Sequence, residues 1–143
     1  MEQRDVLRLA LIQRAKEARE NSYCPYSGFA VGAALLCADG SVYAGCNIEN
    51  AGFTPTCCAE RTAFFRAVND GKRQFRAIAV VGGPAGEEPQ ALCAPCGVCR
   101  QALSEFCESR AFQVILVRSR EDLQVFTLEE LLPLQFGDQN LRQ

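Results

Sequence analysis

Apolar residues recur at helical spacing over residues 2–21, where Val6, Leu7, Leu9, Ala10, Leu11, Ala15 and Ala18 are interleaved with Arg, Glu, Lys and Gln. No Gly or Pro interrupts them, so the pattern predicts an amphipathic opening helix. Pro25 and Gly28, close together in residues 22–28, end it. Residues 30–37 are mostly apolar and read as a strand. Asp39-Gly40 is a hairpin turn signal, and residues 41–48 supply an antiparallel return.

Residues 49–56 form a polar loop containing Gly and Pro, followed by a predicted helix over 57–69 that Asp70-Gly71 terminates. Residues 75–82 are almost wholly apolar, which suits a strand buried on both faces. After a Gly-, Pro- and Glu-rich loop, a third helix is predicted over 96–108, with Pro95 at its start. Residues 113–117 and 123–126 are the last strand candidates. A brief helix over 127–132 carries Thr127 and Glu130 at capping-box spacing, and Pro133 stops it. Five strands with this alternation imply an α/β protein. We expect a three-layer α/β/α arrangement with a mixed sheet, antiparallel at the opening hairpin and parallel further on.

At 143 residues the chain fits one domain, taken here as 1–143. No apolar run approaches the ~20 residues of a membrane helix, and the charged start has no following apolar block of the export type. These features point to a cytoplasmic protein without a membrane partner. The net charge is −2 and the basic residues are scattered, which disfavours a long nucleic acid as partner. The chain has nine cysteines and no histidine. An odd number of thiols without an export signal argues for metal binding over disulfides. The missing histidine removes Ser-His-Asp and Cys-His nucleophile schemes.

The chemistry concentrates in Cys58-Ala59-Glu60 and Pro95-Cys96-Gly97-Val98-Cys99. Three thiols can hold one zinc ion and leave a fourth tetrahedral position open, and Glu60 stands ready beside it as a proton carrier. Both thiol groups open predicted helices, whose N-termini favour thiolate. Arg61 can donate to thiolate sulfur from outside the ligand shell. A CxxC pair alone is also used by structural zinc knuckles and redox proteins. CxE followed by PCxxC matches the three-cysteine signature of zinc deaminases.

Taken together, Asn47-Ile48-Glu49-Asn50-Ala51, Cys58-Ala59-Glu60-Arg61-Thr62-Ala63 and Pro95-Cys96-Gly97-Val98-Cys99-Arg100-Gln101 resemble the small, homotetrameric cytidine deaminases. Tyr26-Ser27-Gly28-Phe29 and Val31-Gly32-Ala33-Ala34 resemble that family's N-terminal block, and the likeness runs over about residues 22–136. The resemblance implies hydrolysis of cytidine and deoxycytidine to the uridine nucleosides and ammonia, a pyrimidine salvage reaction. It implies one zinc ion per subunit held by Cys58, Cys96 and Cys99, with Glu60 as the proton shuttle. Asn47 and Glu49 match ribose contacts, and Phe29 matches an aromatic packed on the base. The Ala59 N–H and Ala94 carbonyl match contacts to the pyrimidine edge. Phe53 and Phe136 match positions through which neighbouring subunits of a homotetramer close each other's sites. Phe53 stands where many relatives carry Tyr, and Ala30 where Pro often follows the aromatic. Two other readings are a zinc deaminase for another aminopyrimidine, nucleotide or polynucleotide, and a non-catalytic zinc module with a fourth protein ligand.

Overall fold

The computed structural model describes residues 2–119 and 122–142. Met1 and Gln143, the ends of the expected 1–143 domain, lie outside the described residues. The elements in chain order are α1 (Gln3–Arg19), β1 (Phe29–Cys37), β2 (Val42–Cys46), α2 (Ala59–Asn69), β3 (Phe75–Pro84), α3 (Gly97–Ser104), β4 (Gln113–Ser119), β5 (Asp122–Thr127) and α4 (Leu128–Leu131). A short 3₁₀ turn, Asp138–Asn140, follows. The five strands form one sheet in the order β2-β1-β3-β4-β5. Only β3 and β4 run parallel; β1 is antiparallel to both β2 and β3, and β5 is antiparallel to β4.

Strand alternation sorts the core into two layers. On one face, Ala33, Leu35, Ile78, Val80, Val114 and Leu116 pack under α2 and α3 with Ala63, Phe64, Ala67 and Leu103. On the other, Ala34, Leu36, Ala79, Val81, Ile115 and Val117 receive Leu11, Ile12 and Ala15 of α1. Each large buried side chain contributes about 1.5–3 kcal/mol of transfer free energy. The expected three-layer fold is therefore present, with α1 alone on one face.

Two helices press on the sheet where it has no side chain. A methyl placed on Gly32 would lie 1.9 Å from the Ala15 carbonyl oxygen of α1, and one on Gly45 would lie 2.5 Å from Ala63 N of α2. In the opening hairpin, Gly40 adopts φ +91°, the left-handed conformation its turn requires. The Thr127/Glu130 capping box forms as expected, with Glu130 N donating to Thr127 Oγ1 at 3.2 Å and Thr127 N to Glu130 Oε1 at 2.9 Å.

Several boundaries differ from the sequence reading. Burial on α1 begins only at Leu11, leaving Val6 and Leu7 about half exposed. Expected to reach residue 48, β2 ends at Cys46, because Ile48 leaves the ladder and makes isolated bridges to Tyr23 and Cys57. That bridge holds Cys57 extended, so α2 starts at Ala59 rather than 57. The third helix stops at Ser104, not 108. Past that point the chain continues as a turn that packs the Phe106 ring against Phe64 at 5.5 Å and Phe75 at 6.4 Å. Among the described residues, no helix is long and apolar enough to cross a membrane.

Candidate metal centre and substrate cleft

Antiparallel pairing sets Phe29, the first residue of β1, opposite Pro84 at the end of β3. The end of β2 pairs beside it, with Cys46 opposite Gly32. One edge of the sheet therefore gathers the start of β1, the exits of β2 and β3, and the helices that follow them. Arg19, the last residue of α1, ties this edge together by donating to the carbonyls of Ala30 at 2.9 Å and Pro84 at 2.8 Å.

Cys58 and Cys96 are the N-cap residues of α2 and α3, both in extended conformation and neither making a side-chain cap. Their thiols turn instead toward each other and toward Cys99, which is fully buried in the first turn of α3. The Cys58–Cys96 and Cys96–Cys99 sulfur separations are 3.7 and 3.6 Å. Tetrahedral zinc with bonds of about 2.3 Å sets its ligands about 3.8 Å apart, so the three thiols fit that ion. Among the described residues, Cys58, Cys96 and Cys99 are the only group of three or more His, Cys, Asp or Glu side chains close enough to share a metal, and no fourth donor joins them. The thiol of Cys57 faces elsewhere, taking a hydrogen bond from Thr62 Oγ1 at 3.6 Å.

The cluster's electrostatics favour the anion at Cys58, while donation to Cys58 and then burial push the Cys99 thiol up. The Cys58 thiol is pulled down to about 5, chiefly by donation from Cys99 and further by Arg61 and Cys96. Arg61 Nη2 lies 3.5 Å from Cys58 Sγ and also reaches the Thr56 carbonyl at 3.5 Å. Its Nε is buried and has no partner among the described residues. Glu60 is 4% exposed, two residues beyond Cys58. Burial pushes its carboxyl up to about 7, and the negative charge of Cys58 adds to the effect. Cys93 lies in the same field; burial, followed by the charges of Glu60 and Cys58, raises its thiol to about 11.

The other candidates divide by location. Asn47 is buried and bridges the backbone on both sides of Ala30: its Oδ1 accepts from Val31 N at 2.8 Å and its Nδ2 donates to the Phe29 carbonyl at 2.8 Å. Glu49 accepts from Tyr26 N at 3.0 Å, Ser27 N at 3.1 Å and the Ser27 hydroxyl. The Ser27 hydroxyl is the main cause of the lowered Glu49 carboxyl. Both side chains thus latch the segment that presents Phe29, an arrangement with no signal in their sequence spacing. Phe29 keeps 41% of its surface exposed. Ala59 is fully buried at the start of α2, and Ala94 is exposed in the loop before Pro95.

Phe53 is 94% exposed and lines a hollow of about 330 Å³ with Tyr26, Ser27 and Glu49. Phe136 is not brought to this cleft. It lines a hollow of about 710 Å³ between the C-terminal tail and the end of α3, and its carbonyl accepts from Gln101 Nε2 at 2.9 Å. None of the three clustered thiols lines that hollow. The sequence reading assigned no role to Arg100, which bonds the carbonyls of Pro95 and Leu131, each at 2.7 Å. It fixes the loop that delivers Cys96; its place beside Cys99 was the available signal.

A mixed-sheet α/β fold with an open three-thiol centre and a buried carboxylate beside it defines a zinc-dependent hydrolase. Residues 7–115 match the model of the cytidine and deoxycytidylate deaminase zinc-binding region, and the chain belongs to that family. It is similar to the cytidine deaminase of Sporosarcina psychrophila, 49% identical over 131 residues and 92% of each chain. The cytidine deaminase of Halalkalibacterium halodurans is 47% identical over 134 residues, 94% of this chain and 97% of that one. The crystal structure of cytidine deaminase from Burkholderia pseudomallei superposes with a TM-score of 0.80 at 45% identity, covering 95% of this chain and all of that one.

Proposed function

We propose that this protein hydrolyses the exocyclic amine of cytidine and deoxycytidine, converting nucleoside and water into the uridine nucleoside and ammonia. The observation that carries this reading is Glu60, buried next to a thiol cluster that offers a metal three donors and, among the described residues, no fourth. Cys58, Cys96 and Cys99 would hold the ion, one per subunit. When bound, zinc supplies a Lewis acid that makes water acidic near neutral pH. Glu60 takes the proton from the attacking water and passes it to N3 of the pyrimidine as oxygen adds to C4. The same carboxyl then takes the proton of the newly added C4 hydroxyl and delivers it to the amino nitrogen, so that the C4–N bond breaks, ammonia leaves and the C4 carbonyl forms. Its raised affinity for protons suits a group that must both accept and release one near neutrality. Arg61 moderates the charge on Cys58.

Phe29 packs on the base, the Ala59 N–H and Ala94 carbonyl read its edge, and Asn47 and Glu49 meet the sugar hydroxyls. Asn47 keeps one acceptor site on Oδ1 and one N–H on Nδ2, and Glu49 keeps one acceptor site on Oε2. Phe53 and Phe136, largely exposed in a single chain, complete the sites of neighbouring subunits in a cytoplasmic homotetramer. The decisive assay is ultraviolet monitoring of cytidine, deoxycytidine, their monophosphates and cytosine, with and without a zinc chelator. We expect turnover of the two nucleosides that chelation abolishes. Zinc-loaded protein that leaves both nucleosides unchanged would overturn the assignment, and preference for a monophosphate would redirect it to nucleotides.

A further inference from the structure

Gly82 is buried near the end of β3, where the strand meets Phe29 and the loop leading to Cys96. Its φ lies outside the left-handed region, so backbone conformation makes no demand for glycine. Space does. A methyl built there would stand 2.6 Å from Cys93 Sγ, 2.9 Å from Cys93 Cβ and 3.2 Å from the Phe29 ring at Cε1. The volume that a side chain at 82 would take is thus shared by a thiol and the edge of an aromatic ring. Cys93 lies three residues before Cys96, on the loop that delivers that thiol, so this junction borders the metal cleft.

The neighbours differ in freedom to yield. Cys93 is half-buried and would be struck at Sγ and at Cβ, an atom fixed to the backbone, whereas Phe29 is met only at its ring edge and has an open side toward solvent. Any crowding at 82 is therefore relieved mainly by tilting the ring outward. We propose that Gly82 and Cys93 are positioning residues for base recognition: the sulfur and the missing side chain together set the height and tilt of Phe29, and so how a pyrimidine is seated beside the thiols. The proposal rests on the nucleoside reading of the cleft and adds a determinant of fit outside its motifs.

The test is steady-state kinetics on cytidine with zinc-loaded Gly82→Ala, Cys93→Ala and Phe29→Leu, singly and in pairs, with zinc content and Tm recorded for each. Gly82→Ala should raise KM about tenfold while kcat changes less than about threefold, since a mis-seated base loses binding in ground and transition states alike. Cys93→Ala, which only opens space, should raise KM a few-fold at unchanged zinc content. In the Phe29→Leu background, neither change should move KM further. Unchanged KM in both single variants would overturn the proposal. So would effects that simply multiply with Phe29→Leu, or a loss of kcat and Tm at constant KM, which marks a packing defect. If Gly82→Ala does not fold, the Cys93→Ala and Phe29→Leu cycle decides alone. Absence of cytidine turnover in the wild type is a separate result, and it would sink the substrate assignment instead.

Discussion

Gly45→Ala tests whether the contact between sheet and helix sets the chemistry. Gly45 pairs with Ala33 across the β1–β2 ladder. An added methyl there would meet Ala63 N at 2.5 Å, the Ala59 carbonyl oxygen at 2.8 Å and Ala63 Cα at 3.0 Å. All three are backbone atoms of α2, so no rotamer change can relieve the clash. Restoring an ordinary 3.4 Å contact requires the helix to withdraw by about 0.9 Å. The struck atoms flank Glu60 and belong to the turn that Cys58 caps. Overpacking of this kind costs about 1–3 kcal/mol, and a displacement near 1 Å at a catalytic group costs about 10²-fold in rate. We therefore expect Tm to fall by several degrees and kcat/KM for cytidine to fall by one to two orders of magnitude. Zinc per subunit, measured alongside, separates loss of metal from misplacement of the carboxylate. A variant with unchanged Tm and kcat/KM within about twofold of wild type would refute the claim that Gly45 holds α2 in register.

Glu60→Gln should retain zinc and fold yet lose about 10²–10⁴ in kcat, checked by ultraviolet assay at saturating cytidine. In chelated, reduced protein the same change should alter stability. Glu60 binds its proton more tightly when folded, at about 7 against 4.5, so its contribution is present at low pH and is lost as pH rises through about 7. Wild-type apoprotein should then lose about 3 kcal/mol between pH 4.5 and 8 that Glu60→Gln does not, measured by urea melts; parallel curves would contradict this. Cys96→Ser should abolish stoichiometric zinc in metal analysis. Deleting the tail from Pro133 should raise KM if Phe136 completes a neighbour's site, and unchanged kinetics would count against that role.

Local chemistry was legible in the sequence. Apolar runs at 30–37, 75–82 and 113–117 marked the central strands, and the spacing of Cys58, Glu60, Cys96 and Cys99 located the metal centre. Features that depend on distant partners were not legible. Nothing near Ser104 marks the end of α3, because the rings of Phe64 and Phe75 draw Phe106 away from the helical path. Gly45 and Gly82 look like ordinary strand residues until a helix and a loop lie on them. Asn47 and Glu49 were read as sugar contacts. Their grip on the Phe29 segment appears only once residues far apart in sequence are side by side.

Helices usually open on Ser, Thr, Asp or Asn, whose side chains occupy the first free N–H groups. Here α2 and α3 open on cysteines that make no such bond, so each start must draw its anchorage from whatever binds the sulfur. Withdrawing the ion would loosen both ends in concert, and amide exchange should quicken at Ala59–Thr62 and Gly97–Arg100 while β3 stays protected. Metal occupancy and order at the cleft thus rise and fall as one quantity, which makes the loaded state self-reporting.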